Sequence, residues 1–185
     1  NNGALPDCQI VTVVSSNPSA FALERARKNN IPAKVISRKN FSSIEDYDDA
    51  ILAHMRSHDV QLVVLAGFLS QLGEKFVNAY KNAIINVHPS LIPSFCGKGY
   101  YGLIPHIKAL EYGVKITGAT VHFVELDYDS GPIILQKAVE VLPGDTPETL
   151  QKRVMEQAEW EILPEAIKLF SQKRLKVNGR LVEIL

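Results

Sequence analysis

Two side chains able to take part in catalysis close an apolar run in the middle of the chain. The segment Ala83–Val87 is predicted to be a buried strand that carries Asn86, and His88 follows just before Pro89. Residues i and i+2 of a strand point to the same face, so the amide and the imidazole would lie side by side. An amide N–H and a protonated imidazole can stabilise an oxyanion, and an imidazole can also move a proton. The end of this strand is therefore a candidate catalytic centre.

A carboxylate from a later loop could complete the pair. The polar segment Glu125–Pro132 joins two predicted strands and carries both Asp127 and Asp129. Either carboxylate could raise the pKa of the His88 imidazole and keep it charged, or could be only a turn residue. The spacing of the residues does not decide between the two aspartates. No G-x-S-x-G motif occurs, so direct attack of one substrate on another fits better than a covalent enzyme intermediate.

The other histidines fit structural roles better than catalytic ones. His54 and His58 are four residues apart on a predicted helix, but the carboxylate motif of a metal site is missing, so a surface position is expected. His106 is predicted to be exposed on a helix. His122 is predicted to be a hydrogen-bonded histidine of the core or a support for the site.

Composition excludes several classes of function. The chain has 185 residues, 46% of them hydrophobic, with 20 Lys+Arg against 20 Asp+Glu, so no excess of basic charge favours a nucleic-acid partner. No apolar run approaches the roughly 18–20 residues that span a bilayer. The two cysteines, Cys8 and Cys96, lack metal-like spacing and indicate free thiols in a reducing, cytoplasmic setting.

Strands and helices alternate along the chain, which predicts one α/β domain over residues 1–185. The expected architecture is a doubly wound, mostly parallel sheet with helices on both faces. Predicted strands are Gln9–Ser15, Ile31–Ile36, Leu62–Ala66, Ala83–Val87, Lys115–Val124 and Ile133–Val141. Of these, Gln9–Ser15 and Leu62–Ala66 are predicted to be buried, because both are rich in apolar β-branched residues. Predicted helices are Ala20–Asn30, Ile44–His58, Glu74–Tyr80, Ile104–Tyr112 and a long one that starts at Thr146, ends near Gln172 and is kinked by Pro164. Trp160 and Phe170 of this last helix are expected in the core, and Glu156 and Glu159 on its solvated face.

Several segments resemble the folate-dependent formyltransferase family. The main ones are Asn86–Pro93 (NVHPSLIP) and Leu126–Ile134 (LDYDSGPII), supported by Ala66–Leu69, Gly118–Val124 and Gln136–Val139. The resemblance is strongest to the branch that formylates phosphoribosylglycinamide (GAR) in purine biosynthesis, because of Gly99–Gly102 and Ala158–Trp160 and because no second domain is predicted. It implies a Rossmann-like formyltransferase fold.

The resemblance also implies an activity and its catalytic residues. A formyl group would pass from 10-formyltetrahydrofolate, as co-substrate, to the amine of GAR, without a metal. Asn86 and His88 would be catalytic, and alignment to the D-[GS]-G-P element makes Asp129 the carboxylate beside the histidine. Two alternatives stay open: a formyltetrahydrofolate deformylase, which uses water as acceptor, and a truncated folate-binding protein without activity.

Binding residues follow from the same resemblance. The folate would contact Leu69, Ser70, Gln71, Leu72, Asn86, Glu125 and Asp129, and GAR would contact Gly67, Pro89, Glu156 and Glu159. The expected partners are these two small molecules, with no nucleic acid and no membrane, and the expected state is a monomer or weak homodimer in the cytoplasm. Members of the family begin with a strand and a G-x-G-[ST]-N phosphate loop. No glycine-rich phosphate loop occurs here, so we expect the given sequence to begin after that segment.

Overall fold

The computed structural model describes residues 5–185, which fall into two compact units. The first unit comprises Gln9–Val63 and Phe68–Ile84, and the second comprises Val64–Gly67 and Ile85–Leu185 together with residues 5–8. The single domain over residues 1–185 remains a prediction. None of the helices within residues 5–185 has the length and apolar character that a membrane crossing requires.

Most of the predicted elements are present with ends that differ by one or two residues. In chain order they are β1 Val13–Ser15, α1 Phe21–Lys28, β2 Ala33–Val35, a 3-10 turn Arg38–Asn40, α2 Ile44–Ser57, β3 Val63–Leu65, α3 Glu74–Ala79, β4 Ile84–His88, α4 Ile104–Tyr112, β5 Ile116–Phe123, β6 Ile133–Glu140, α5 Pro147–Val154, a π-helical turn Met155–Glu159, α6 Trp160–Ser171, β7 Leu175–Asn178 and β8 Leu181–Ile184.

The first unit holds a parallel pair of short strands, β1 and β2, with Val13 opposite Ala33. The prediction of a buried strand over Gln9–Ser15 is wrong in extent and burial, because pairing starts only at Val13 and only Ser15 is buried. A two-stranded sheet offers little surface to cover its own strands.

The predicted burial of β3 is also wrong. It is the end strand of its sheet, and Val64 is 38% exposed.

Helices α2 and α3 of the first unit are tied together by a buried carboxylate. The side chain of Ser43 accepts the Asp46 N–H at 3.0 Å and so caps α2. Asp48, on the buried face of α2, is only 1% exposed. Its carboxylate accepts the backbone N–H groups of Gly73 (2.9 Å) and Phe76 (3.0 Å), so it caps the first turn of α3 from a neighbouring helix.

The second unit is built on the sheet β3-β4-β5-β6. The two long strands β5 and β6 join the sheet as predicted, and both the β4–β5 and the β5–β6 pairings are antiparallel. The register places Asn86 opposite His122 and His88 opposite Thr120, and the next strand places Gln136 opposite Thr120. The three strands therefore align the end of β4 with polar residues of β5 and β6.

The C-terminal helical region begins as predicted and departs from the α-helix earlier than predicted. Thr146 and Thr149 form a reciprocal capping box with Pro147 in the first turn. The departure is the π-helical turn Met155–Glu159, and Pro164 lies further along, inside α6. One extra residue per turn rotates the residues that follow it. Trp160, expected in the core, is accordingly 60% exposed.

Candidate active site

Asn86 and His122 form a hydrogen-bonded pair across β4 and β5. Nδ2 of Asn86 lies 3.2 Å from Nε2 of His122, and Nδ1 of His122 lies 2.7 Å from the carbonyl oxygen of Phe123. A carbonyl can only accept, so Nδ1 carries the hydrogen and Nε2 of a neutral ring accepts the Asn86 amide N–H. His122 is 2% exposed, which agrees with the expected buried and hydrogen-bonded role. It orients the amide of Asn86.

The loop after β5 brings Asp129, and not Asp127, to the two imidazoles. Oδ2 of Asp129 lies 3.5 Å from Nδ1 of His88, and Oδ1 lies 3.6 Å from Nε2 of His122. The residue has a positive φ of 52°, which aspartate tolerates better than most residues. Asp127 is exposed, and its backbone carbonyl accepts the Ser130 hydroxyl. The geometry thus separates two aspartates that residue spacing left equivalent.

Backbone groups of the loop after β4 hold both members of the histidine–aspartate pair. The carbonyl oxygen of Phe95 lies 3.0 Å from Nε2 of His88, and the N–H of Gly97 donates to Oδ2 of Asp129 at 2.8 Å. Because the carbonyl only accepts, Nε2 of His88 carries a hydrogen. Nδ1 of the same ring faces the carboxylate, so His88 lies between two acceptors.

The charges of this pair follow from burial and contacts. Burial lowers the pKa of His88, although the Phe95 carbonyl and the Asp129 carboxylate oppose the shift. Asp129 therefore raises the pKa of His88, as predicted, but burial has the larger effect, so the prediction that the imidazole stays charged is wrong. Burial favours a higher pKa for Asp129, but contacts with His122, His88 and Gly97 hold it below its ordinary value. A carboxylate next to a neutral imidazole is an acceptor poised for one proton.

His106 is a further histidine of this region whose predicted exposure is wrong. It lies in the first turn of α4, is 0% exposed, and neither ring nitrogen has a hydrogen-bond partner within residues 5–185. Burial, together with the nearby His88, lowers the pKa of His106 to about 4. The ring is therefore neutral and packed into the core at physiological pH.

A buried polar network supports the turn that follows His88. The Thr120 hydroxyl donates to the carbonyl of Ser90 (2.7 Å) and accepts the N–H of Ile92 (3.1 Å). Gln136 donates from Nε2 to the same hydroxyl (2.9 Å) and to the Ile92 carbonyl (3.0 Å). Ser90 and Thr120 are fully buried. Sequence reasoning identified none of these three side chains as part of the site.

The remaining predicted binding residues lie in several places. In the second unit, Pro89 directly follows His88, Glu125 is exposed after β5, and Gly67 is exposed just after β3 with a φ of 65°. Glu156 is exposed and Glu159 half-buried on the π-helical turn, which packs against β5 and β6. Burial raises the pKa of Glu159.

Four of the residues predicted to contact the folate belong to the first unit. Leu69, Ser70, Gln71 and Leu72 lie between β3 and α3, with Leu69 62% exposed and Leu72 buried. Within residues 5–185, no three His, Cys, Asp or Glu side chains are grouped to hold a metal ion. His54 of α2 lies close to His58, the C-cap residue of that helix, with ring centroids 4.4 Å apart.

Comparisons with known proteins agree with the fold and the motifs. The family model described as formyl transferase matches residues 2–167. A phosphoribosylglycinamide formyltransferase of Haemophilus influenzae is 39% identical over 181 residues, which is 98% of this chain and 82% of the relative. The trifunctional purine biosynthetic protein adenosine-3 of Gallus gallus is 41% identical over 170 residues, which is 92% of this chain and 16% of that protein.

The structure agrees equally well with a solved relative. The crystal structure of glycinamide ribonucleotide transformylase 1 from Symbiobacterium toebii matches with a TM-score of 0.92 and 42% identity, over 99% of this chain and 83% of that one. This similarity confirms the predicted α/β, Rossmann-like formyltransferase fold. With the family model covering residues 2–167, the chain belongs to the formyl transferase family.

Proposed function

We propose that the protein transfers a formyl group from 10-formyltetrahydrofolate to the amine of GAR, a step of purine biosynthesis. Family membership and relatives named phosphoribosylglycinamide formyltransferase support this choice of acceptor. The observation that carries the proposal is the cluster of Asn86, His88 and Asp129 at the end of β4.

Asn86 is the donor proposed to stabilise charge on the formyl oxygen. When the amine attacks the formyl carbon, negative charge develops on that oxygen. One N–H of the Asn86 amide is held by His122 at 3.2 Å, which aims the group. The second N–H makes no hydrogen bond to a partner within residues 5–185, so it can serve the substrate.

His88 and Asp129 are the groups proposed to handle the proton. A new bond forms between the amine nitrogen and the formyl carbon, and the amine loses a proton to the imidazole–carboxylate pair. The bond between the formyl carbon and N10 of the folate then breaks, and N10 regains a proton from the same pair. Neither a covalent enzyme intermediate nor a metal is needed for this balance.

His88 must also exchange a partner during the reaction. Its Nε2–H donates to the Phe95 carbonyl, so contact with the formyl oxygen requires the ring or that carbonyl to shift. The buried ring gains most from a new acceptor when it is protonated. We therefore assign the oxyanion contact of His88 to the state that has taken up the amine proton.

The proposal also covers the residues that bind the two substrates, the oligomeric state and the cellular location. Glu156 and Glu159 are proposed to contact GAR, together with Gly67 and Pro89, and Glu125 and Asp129 to contact the folate; the folate contacts of Leu69–Leu72 rest on the resemblance alone. The protein is proposed to act on these small molecules as a monomer or weak homodimer in the cytoplasm.

A comparison of acceptors tests the function. The purified chain is incubated with 10-formyltetrahydrofolate and either GAR, methionyl-tRNA or buffer, and the formylated product, formate and tetrahydrofolate are quantified. We expect formyl-GAR and tetrahydrofolate in equal amounts, and only when GAR is present. Formate released without an acceptor would favour the deformylase instead. Folate binding with no turnover under any condition would favour the folate-binding protein.

A further inference from the structure

We propose that Gln136 on β6 is a positioning residue that orients the imidazole of His88 through the intervening turn. Its effect on rate rests on the proposed function, but its effect on the His88 ring does not. Register supports the connection, because His88, Thr120 and Gln136 occupy opposite positions on the adjacent strands β4, β5 and β6. The three side chains therefore form one row across the sheet.

The first step is the hold that Gln136 has on the backbone of Ile92. Its Nε2 donates one hydrogen to the Ile92 carbonyl (3.0 Å) and the other to the Thr120 hydroxyl (2.9 Å). The same hydroxyl accepts the Ile92 N–H at 3.1 Å. Both polar groups of the Ile92 backbone are thus satisfied by two side chains, one on each of two neighbouring strands.

The second step carries this hold along the turn. The Thr120 hydroxyl uses its one hydrogen on the Ser90 carbonyl, so the Gln136 amide must supply the hydrogen between these two side chains. The Ser90 hydroxyl donates to the Ser94 carbonyl at 2.6 Å. Ser90 and Thr120 are 0% exposed, so water cannot replace these partners without opening the turn.

The third step reaches the reacting groups. Ser94 is followed by Phe95, whose carbonyl accepts from Nε2 of His88 at 3.0 Å, and Gly97 donates to Asp129 at 2.8 Å. Phe95 has a positive φ of 49°, a conformation that a bulky residue keeps only when its surroundings impose it. Release of the turn would let Phe95 relax and withdraw its carbonyl from His88.

The Gln136 amide has the hydrogens that both contacts need. Two acceptors converge on one nitrogen, and only a group with two hydrogens on one atom serves both. Methionine matches the shape of glutamine but donates nothing. A carboxylate cannot donate, and even a protonated carboxyl has a single hydrogen. Gln136→Met and Gln136→Glu therefore remove the two donated hydrogen bonds while keeping the size of the side chain.

The test reads the His88 ring directly. Chains labelled with ¹⁵N-histidine are compared without substrates, and the His88 signals are identified by their loss in His88→Ala. In the parent chain we expect hydrogen on Nε2. In both Gln136 variants we expect a mixture of the Nδ1–H and Nε2–H tautomers. Lys137→Met is the matched control: it lies on the same strand, is paired with Glu161 at the surface, and should leave the tautomer unchanged.

A kinetic measurement accompanies the spectra. A misplaced catalytic group should lower kcat with GAR and 10-formyltetrahydrofolate by roughly tenfold or more in the Gln136 variants. The KM of each substrate should change by less than about threefold, since most of the proposed binding residues lie outside the turn. Thermal unfolding shows whether each variant is folded under the conditions used.

Each outcome decides the proposal. A folded Gln136→Met chain with the parent tautomer would overturn it, as would loss of folding in both Gln136 variants while Lys137→Met folds. If only Gln136→Met fails to fold, Gln136→Glu decides by the same readouts. A tautomer change in the Gln136 variants, together with a parent chain that does not formylate GAR, would support the positioning role and contradict the proposed function.

Discussion

Nδ1 of His88 lies 3.5 Å from Oδ2 of Asp129, and the two side chains are only 5% and 12% exposed. Burial lowers the pKa of His88, whereas contacts with the neighbouring histidines and the Gly97 N–H hold the pKa of Asp129 below its ordinary value. At neutral pH the pair is therefore a neutral imidazole beside a carboxylate. That state can take one proton from an attacking amine and hold it between two buried groups.

Asp129→Asn should reduce formyl transfer by about 100-fold or more, because general acid–base contributions are of this size. Removal of the carboxylate also removes one of the two groups that oppose the lowering of the His88 pKa, the other being the Phe95 carbonyl. The pKa of His88 should fall further in the variant, as NMR titration of the ring protons would show. Asp127→Asn is the matched control, since Asp127 is exposed in the same loop, and equal losses in both variants would count against the assignment.

His106→Leu should make the free energy of unfolding less sensitive to low pH. The folded-state pKa of His106 is about 4, below the unfolded value near 6.5, so the unfolded chain binds the proton first as pH falls. Stability linked to this group is complete above about pH 6.5 and declines through the window down to about pH 4. Over this window the free energy of unfolding linked to His106 falls by about 3 kcal/mol.

Denaturant unfolding of the parent and of His106→Leu at several pH values checks this expectation. The difference in unfolding free energy between the two chains should shift in favour of the variant as pH is lowered from 7.5 to 4.5. A difference that does not depend on pH would show that the ring is already protonated or solvated in the folded protein.

Asp48→Ala should destabilise the first unit by about 2 kcal/mol, because two N–H groups at the start of α3 lose a buried acceptor. Asp49→Ala is the matched control at the next position. Asp49 is exposed and paired with Lys75, so its loss should cost less than about 0.5 kcal/mol. Urea unfolding of the three chains gives the three free energies of unfolding. The dependence of this free energy on urea concentration is measured separately for each chain. Similar losses at both positions would contradict the capping role of Asp48.

The strand-end chemistry of this protein could be predicted from residue order because a strand has a period of two. That period places Asn86 and His88 together, and the helix caps at Ser43 and Thr146 follow equally from local rules. Burial of β1 and β3 could not be predicted in the same way, since it depends on which strands lie beside them. Trp160, predicted in the core, directly follows a π-helical turn that breaks the regular helical period.

The partners of the catalytic side chains were harder to predict. The groups that hold His88 and Asp129 are a carbonyl of Phe95 and an N–H of Gly97, and every residue type has such groups. Gln136 and Thr120 gave no signal because a polar residue on a strand is ordinary until the register brings it to a turn. The choice between Asp127 and Asp129 likewise needed the path of the loop, which spacing alone does not give.

The most direct test of the catalytic cluster is a single-turnover comparison of the parent chain with His88→Ala, using 10-formyltetrahydrofolate and GAR, with folate affinity measured on the same samples. If His88 donates to the formyl oxygen and carries the amine proton, formyl transfer should fall by about 100-fold or more. Folate affinity should stay close to that of the parent, because the imidazole acts on the reacting atoms. A variant that transfers formyl groups at the parent rate would contradict the account.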